Sequence, residues 1–322
     1  MNDIQQDMPV LRPGRDAKEF FLLVVLTIGL FLSILFVPLA GFFSSLFTPA
    51  PTALALVRKG TPRGWIVPGC SAALGAVILL ALGLPESVPY LFALIGMGVI
   101  IGYGFARGWS VAKLVGLASL LVVGIAALLA LVAYFQTRGQ MVHLIEQDLR
   151  NVLTAALKQL GKGSPAVSPE TQKNLLEMVP LVVRIMPGIL ISCTLVISWA
   201  NLLVCRKYCR QAEGQAPEVE KLSLWKSPEH LVWLAIAGGL MLLLPLKGLD
   251  LLGINVVLVM GTVYFFQGLA IVAFYFEKWK VPLFVKGFVY AVFFLQRIAS
   301  MAVAALGLFD VWFDFRKLNR QA

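Results

Sequence analysis

The side chains with the most chemical potential in this chain lie where they are most costly, inside apolar runs. Arg184 falls in one such run, Tyr264 and Gln267 in a second that reads YFFQGLA, and Gln296 with Arg297 in a third that reads FFLQRIAS. A charge at the centre of a bilayer costs about 3 kcal/mol or more, so these five residues are the candidates for a ligand site. Facing inward together, they define a polar cavity near mid-membrane suited to an anionic or amide-bearing small molecule. Facing neighbouring helices one by one, they make interhelical hydrogen bonds or pair with Asp250, Glu277 or backbone carbonyls.

Other chemistry finds little material. His143 and His230 are the only histidines, neither belongs to an HExxH pair, and Cys205 and Cys209 stand four apart without a further ligand, so no metal is expected. Ser110 and Lys113 form an SxxK by spacing, a pattern too short to carry weight. The GKGS at 161–164 lacks the preceding glycine loop of a phosphate-binding motif, so the chain is not expected to hydrolyse a nucleotide. The expectation is a protein without cofactor or catalytic constellation, not an enzyme. The tail GLFDVWFDFRK interleaves Asp310, Asp314, Arg316 and Lys317 with aromatic residues including Trp312. That pattern anchors a helix end by Asp–Arg pairing, or presents Asp310, Trp312, Asp314 and Arg316 to a partner.

The elements that position these residues follow from composition. With 59% hydrophobic residues, 14% charged residues and a mean hydropathy of +0.85, the chain departs far from a soluble domain. Its apolar runs are long enough for helices to cross a bilayer and lack the alternation of a transmembrane barrel, so the expected fold is an all-α polytopic helical bundle. Nine spans are read at 20–39, 42–57, 65–84, 88–106, 110–135, 178–204, 231–246, 254–276 and 284–309. The net charge of +10 does not point to nucleic acid, because Lys and Arg gather at the ends of those runs, where they set orientation.

The short segment 42–57 decides the topology. If it spans and the N-terminus is cytoplasmic, 16 basic residues lie inside and 9 outside; if it does not, the count is 12 against 13. The positive-inside rule therefore favours nine spans, with a cytoplasmic N-terminus in a bacterial inner membrane. Nine spans leave the basic tail outside, so eight or ten spans with both ends inside stay open.

The chain divides by charge into a cytoplasmic segment 1–19, a bundle 20–204, a basic cytoplasmic loop 205–228, a three-span bundle 229–309 and a basic-aromatic tail 310–322. Within the first bundle, 140–160 has the spacing of an amphipathic helix, and Ser168 before Pro169 is a cap for the next. Gly96, Gly98, Gly102 and Gly104 make the fourth run a close-packing face or a ligand-lined wall.

The run QGLAIVAF at 267–274, the ending GLFDVWFDFRK and the proline-and-basic turn at 49–64 together resemble the YybS-like bacterial inner-membrane proteins. The first six spans are also similar to the six-helix substrate-binding components of energy-coupling-factor vitamin importers, in which a short second helix follows a proline-containing loop. The first helix, FLLVVLTIGLFLSILFV, departs from that pattern because it lacks small residues spaced by three for docking a coupling subunit. The second resemblance implies a small-molecule ligand in the N-terminal bundle and membrane partner subunits that supply energy. The alternative function is a non-transporting scaffold or assembly factor that recruits partners through the tail and the 205–228 loop.

Overall fold

The computed structural model describes residues 13–160, 168–213, 221–244, 246 and 248–317. The N-terminal dozen residues, the middle of the basic loop and the last five residues of the tail lie outside the described residues. Every regular element among those described is helical. The protein is an all-α, multi-pass membrane protein. Its helices are α1 (Pro13–Phe36), α2 (Pro38–Ser45), α3 (Pro49–Lys59), α4 (Ile66–Ala81), α5 (Val88–Ala106), α6 (Val111–Gln136) and α7 (Met141–Leu160). They continue with α8 (Pro169–Glu177), α9 (Val179–Glu213), α10 (Leu231–Leu243), α11 (Leu249–Lys278), α12 (Leu283–Leu295) and α13 (Arg297–Phe313).

Seven segments among the described residues are long and apolar enough to cross a membrane, including Ala40–Lys59, which joins α2 to α3. The other two expected spans take different forms. α10 has 13 residues, about 20 Å of helix against roughly 30 Å of hydrocarbon. The expected continuous helix over 284–309 is instead α12 and α13, bent by 101° at Gln296. Gln296 and Arg297 therefore stand at a helix break rather than at mid-helix, and both are exposed.

The break has a tertiary cause. α12 touches α11 through aromatic rings, Tyr290 against Phe276 (ring centroids 5.6 Å) and Phe294 against Phe265 (5.4 Å). α13 instead crosses α11 so closely that a Cβ on Gly307 would overlap the Tyr264 carbonyl oxygen, and one on Gly268 the Val303 carbonyl oxygen. One straight helix cannot do both. Ser300 eases the turn, its hydroxyl lying within bonding reach of the Phe293 carbonyl and 3.1 Å from that of Gln296.

The chain forms two compact units, one from Met1–Trp109 with Ile197–Val219, the other from Ser110–Val196 with Glu220–Ala322. In the first, α3 is buried along nearly its whole length against α5. The glycines of α5 make this possible, since a Cβ on Gly98 would overlap Thr52 and Pro49, and one on Gly102 would meet Ala53. The break between α2 and α3 leaves backbone groups that lipid cannot satisfy. Asn201 of α9, fully buried, donates to the Leu46 carbonyl there at 2.8 Å. At the far end of α3, Gly60 takes a left-handed φ of 61° and stops the helix, while Glu19 holds Lys59 at 2.8 Å and Arg58 at 3.3 Å.

In the second unit, α7 is the amphipathic helix expected at 140–160, and Ser168 caps α8 through the Thr171 N–H at 3.2 Å. Pro187 interrupts the backbone ladder of α9. Asn255 of α11 covers the gap: its Oδ1 accepts from Gly188 N at 2.6 Å and its Nδ2 donates to the Arg184 carbonyl at 3.2 Å. Those are the two groups that an unbroken helix pairs with each other.

Candidate functional site

The second unit concentrates its buried polar atoms where α11, the 221–228 segment and the chain end meet. Gln267 presents its side chain from the face of α11 that α13 crosses, and it is fully buried. Its Nε2 donates to Asp310 Oδ2 at 3.0 Å, and its Oε1 accepts from the backbone N–H of Ser227 at 3.2 Å and from the Ser227 hydroxyl. Asp310 sits in the last turn of α13, where Arg316 Nη2 reaches the same Oδ2 at 2.9 Å and Phe315 N donates to Oδ1 at 2.9 Å. Arg316 is brought back by Asp314, which ends α13 in the left-handed conformation at φ 41° and ψ 58°. Its Nη1 then donates to the carbonyls of Ser223 and Trp225, each at 2.9 Å.

Asp310 and Arg316 are 1% and 3% exposed, so this is a desolvated ion pair with hydrogen-bond partners on both sides. It latches the chain end onto α11. Two outer contacts extend the latch: Tyr275 Oη donates to the Phe315 carbonyl at 2.9 Å, and Ser223 Oγ donates to Glu277 at 3.1 Å. The chain end thus lies at the C-terminal end of α11, beside the turn that carries Lys278 and Lys280. Among the described residues, Gln267, Asp310 and Ser227 are paired with one another or with Arg316, while Arg316 Nε and the Tyr264 hydroxyl beside them have no hydrogen-bond partner.

Of the five residues expected to line a cavity, the structure brings together Tyr264 and Gln267, neighbours on α11. Arg184, Gln296 and Arg297 are exposed, and Arg184 contributes its backbone carbonyl to Asn255 rather than a charge to a cavity. Of the four tail residues, Asp310 and Arg316 are buried, Asp314 is half-buried at the cap, and Trp312 is 55% exposed. Ser223, Ser227, Asn201 and Asn255 were not among the expected site residues. The asparagines were visible by the same criterion as Gln267, as amides inside spans; the serines lie in a polar loop and gave no such mark.

The first unit holds a cleft of about 320 Å³ between α1, α2, α4 and α5. Phe31, Leu79 and Ser45 are buried in it, Phe42 and Tyr90 are exposed, and Ser45 and Ser87 add hydroxyls to an otherwise apolar wall. The ends of α1 and α4 and the beginnings of α2 and α5 meet here. The cleft therefore lies at the end of this unit opposite the Glu19, Arg58 and Lys59 cluster.

Span-length apolar helices and buried, internally paired charges define a multi-pass helical membrane protein. The chain belongs to the family described as "Predicted membrane protein (DUF2232)", whose profile matches residues 25–311. It is 22% identical over 319 residues to the "Uncharacterized protein YybS" of Bacillus subtilis, with 95% of this chain and 99% of that protein covered. No solved structure matches, so the likeness to importer binding components has no structural relative behind it.

Proposed function

We propose that the N-terminal unit binds a small, mainly apolar molecule in the cleft between α1, α2, α4 and α5, as the binding component of a transport system in the bacterial cytoplasmic membrane. The observation that carries this reading is the cleft itself. Its volume of about 320 Å³ falls in the range of ligand pockets, which run from about 300 to 1,000 Å³ and combine apolar walls with a few polar groups. Ser45, Ser87 and Tyr90 supply those groups. The basic turn at the opposite end of the unit belongs in the cytoplasm by the positive-inside rule, so the cleft faces outward, where an imported molecule arrives. Without a nucleotide-binding motif, any energy input comes from partner subunits.

Thermal unfolding of the detergent-purified protein against a panel of vitamins, metabolites and lipids tests the reading. Stabilisation by one chemical class, lost in Ser87→Trp, is expected; a flat response across the panel contradicts it.

A scaffold acting through protein partners is the second reading, favoured by the exposure of Trp312 (55%) and Phe313 (69%) at the end of α13. Crosslinking in native membranes distinguishes it: a partner captured by wild type and lost in the Trp312→Ala, Phe313→Ala double variant supports the scaffold. That variant keeps Asp310 and Arg316, so the latch stays closed.

A further inference from the structure

A second concavity lies in the other unit. It is an apolar groove of about 310 Å³ bounded by α11, α12, α13 and the chain end, with Ile271, Tyr275, Trp279, Val289, Phe293 and Phe315 on its walls. The groove lies where α12 and α13 part at Gln296, with α13 packed closely on α11 and α12 meeting α11 through aromatic rings.

The mouth of the groove is basic. Trp279 stands between Lys278 and Lys280 in the chain, and Phe315 is two residues from Lys317; all three lysines are exposed. Lys278 Nζ lies 5.8 Å from the centroid of the Tyr275 ring, itself a wall residue. Of the anionic groups nearby, Asp310 is neutralised by Arg316, Glu277 is exposed and accepts from Ser223, and Asp314 caps α13, so the three lysines outnumber the other two carboxylates. An apolar groove with cations beside it at one end matches an amphiphile with an anionic head.

We propose that this groove is a binding site for one anionic phospholipid, with an acyl chain between α11 and α12 and the phosphate on Lys278, Lys280 and Lys317. The site is separate from the cleft of the N-terminal unit and independent of whether that cleft binds anything. By the same geometry the chain end and the α11–α12 turn share one side of the membrane. That arrangement moves the three basic residues of the tail inside and raises the charge count from 16 against 9 to 19 against 6.

Trp279 is the reporter, being a wall residue and 67% exposed. The full-length protein is reconstituted into zwitterionic vesicles containing a minor fraction of brominated phosphatidylglycerol or, in parallel, brominated phosphatidylcholine. The Trp279 contribution is taken as the difference between wild type and Trp279→Phe. The brominated anionic lipid should quench Trp279 at least about fivefold more effectively, the effect expected for a single lysine engaging the head group. In the Lys278→Gln, Lys280→Gln, Lys317→Gln variant the preference should vanish, while the quenching common to both lipids remains. Equal quenching by the two lipids in wild type overturns the proposal, as does an unchanged preference in the lysine variant. Because the lysines are exposed, the variant folds, and its unfolding temperature serves as the control.

Discussion

Gln267 Nε2 and Asp310 Oδ2 stand 3.0 Å apart, joining the middle of α11 to the last turn of α13 across 43 residues of sequence. Asp310 is the hub, because the same oxygen takes Arg316 and the other takes the Phe315 amide. Removing one partner from a buried ion pair leaves the other charge uncompensated, at a cost of about 3 to 5 kcal/mol. Asp310→Asn should lose that much stability in a denaturant or thermal unfolding experiment. Adding Arg316→Met to Asp310→Asn should recover part of it, since the stranded cation is then gone. A double variant less stable than the single contradicts the latch.

Glycine substitutions should separate packing from propensity. Gly98→Ala and Gly307→Ala each place a methyl group against backbone of a neighbouring helix, so α3 or α11 must move. Overpacking of this kind costs about 1 to 3 kcal/mol. Gly124→Ala in α6 meets nothing within 4 Å and should be neutral or stabilise by up to about 1 kcal/mol, the helix-propensity gain. Unfolding temperatures of the three variants, measured side by side, test the contrast.

Asn255→Leu should expose the defect that Pro187 makes in α9. Gly188 N and the Arg184 carbonyl lose their side-chain partners, and the buried Gly188 N–H left unpaired costs about 1 to 3 kcal/mol. Replacing Pro187 by Ala in the same chain lets the ladder close by itself and should restore most of the stability. If Asn255→Leu is equally destabilising with and without Pro187, the amide does something else.

Labelling with a membrane-impermeant maleimide tests the sidedness of the chain end. In a background with the native cysteines replaced, Lys280→Cys and Lys317→Cys should react from the same face of oriented vesicles. Reaction from opposite faces would mean that α12 and α13 together cross the bilayer.

Much of the fold was legible because its cause is local. Apolar run length, the stop at Lys59 and Gly60, the cap at Ser168 and the amphipathic spacing of α7 each depend on a few adjacent residues, and each is found where expected. The apolar run 42–57 marks the short second span, which the structure divides between α2 and α3, and the burial of α3 under the glycines of α5 follows from small residues that the sequence displays. What was not legible depends on pairs far apart in the chain. Nothing in FFLQRIAS announces a break, because it has no proline or glycine; the 101° bend comes from the demand that α13 cross α11 at Gly268 and Gly307. The latch shows the same limit. Gln267 and Arg316 were both singled out, one as a cavity residue and one as a tail residue, but their meeting through Asp310 required the angle of α13. Gln296 and Arg297 read as mid-helix residues because nothing adjacent to them in the sequence marks the break.

The claim that the N-terminal cleft holds a ligand is tested most directly by native mass spectrometry of the protein released from its own membrane. Wild type should retain a small molecule that is not a phospholipid, and Ser87→Trp, which fills the cleft, should emerge without it at an unchanged unfolding temperature. Retention of the same molecule by both proteins, or its absence from wild type, would contradict the account.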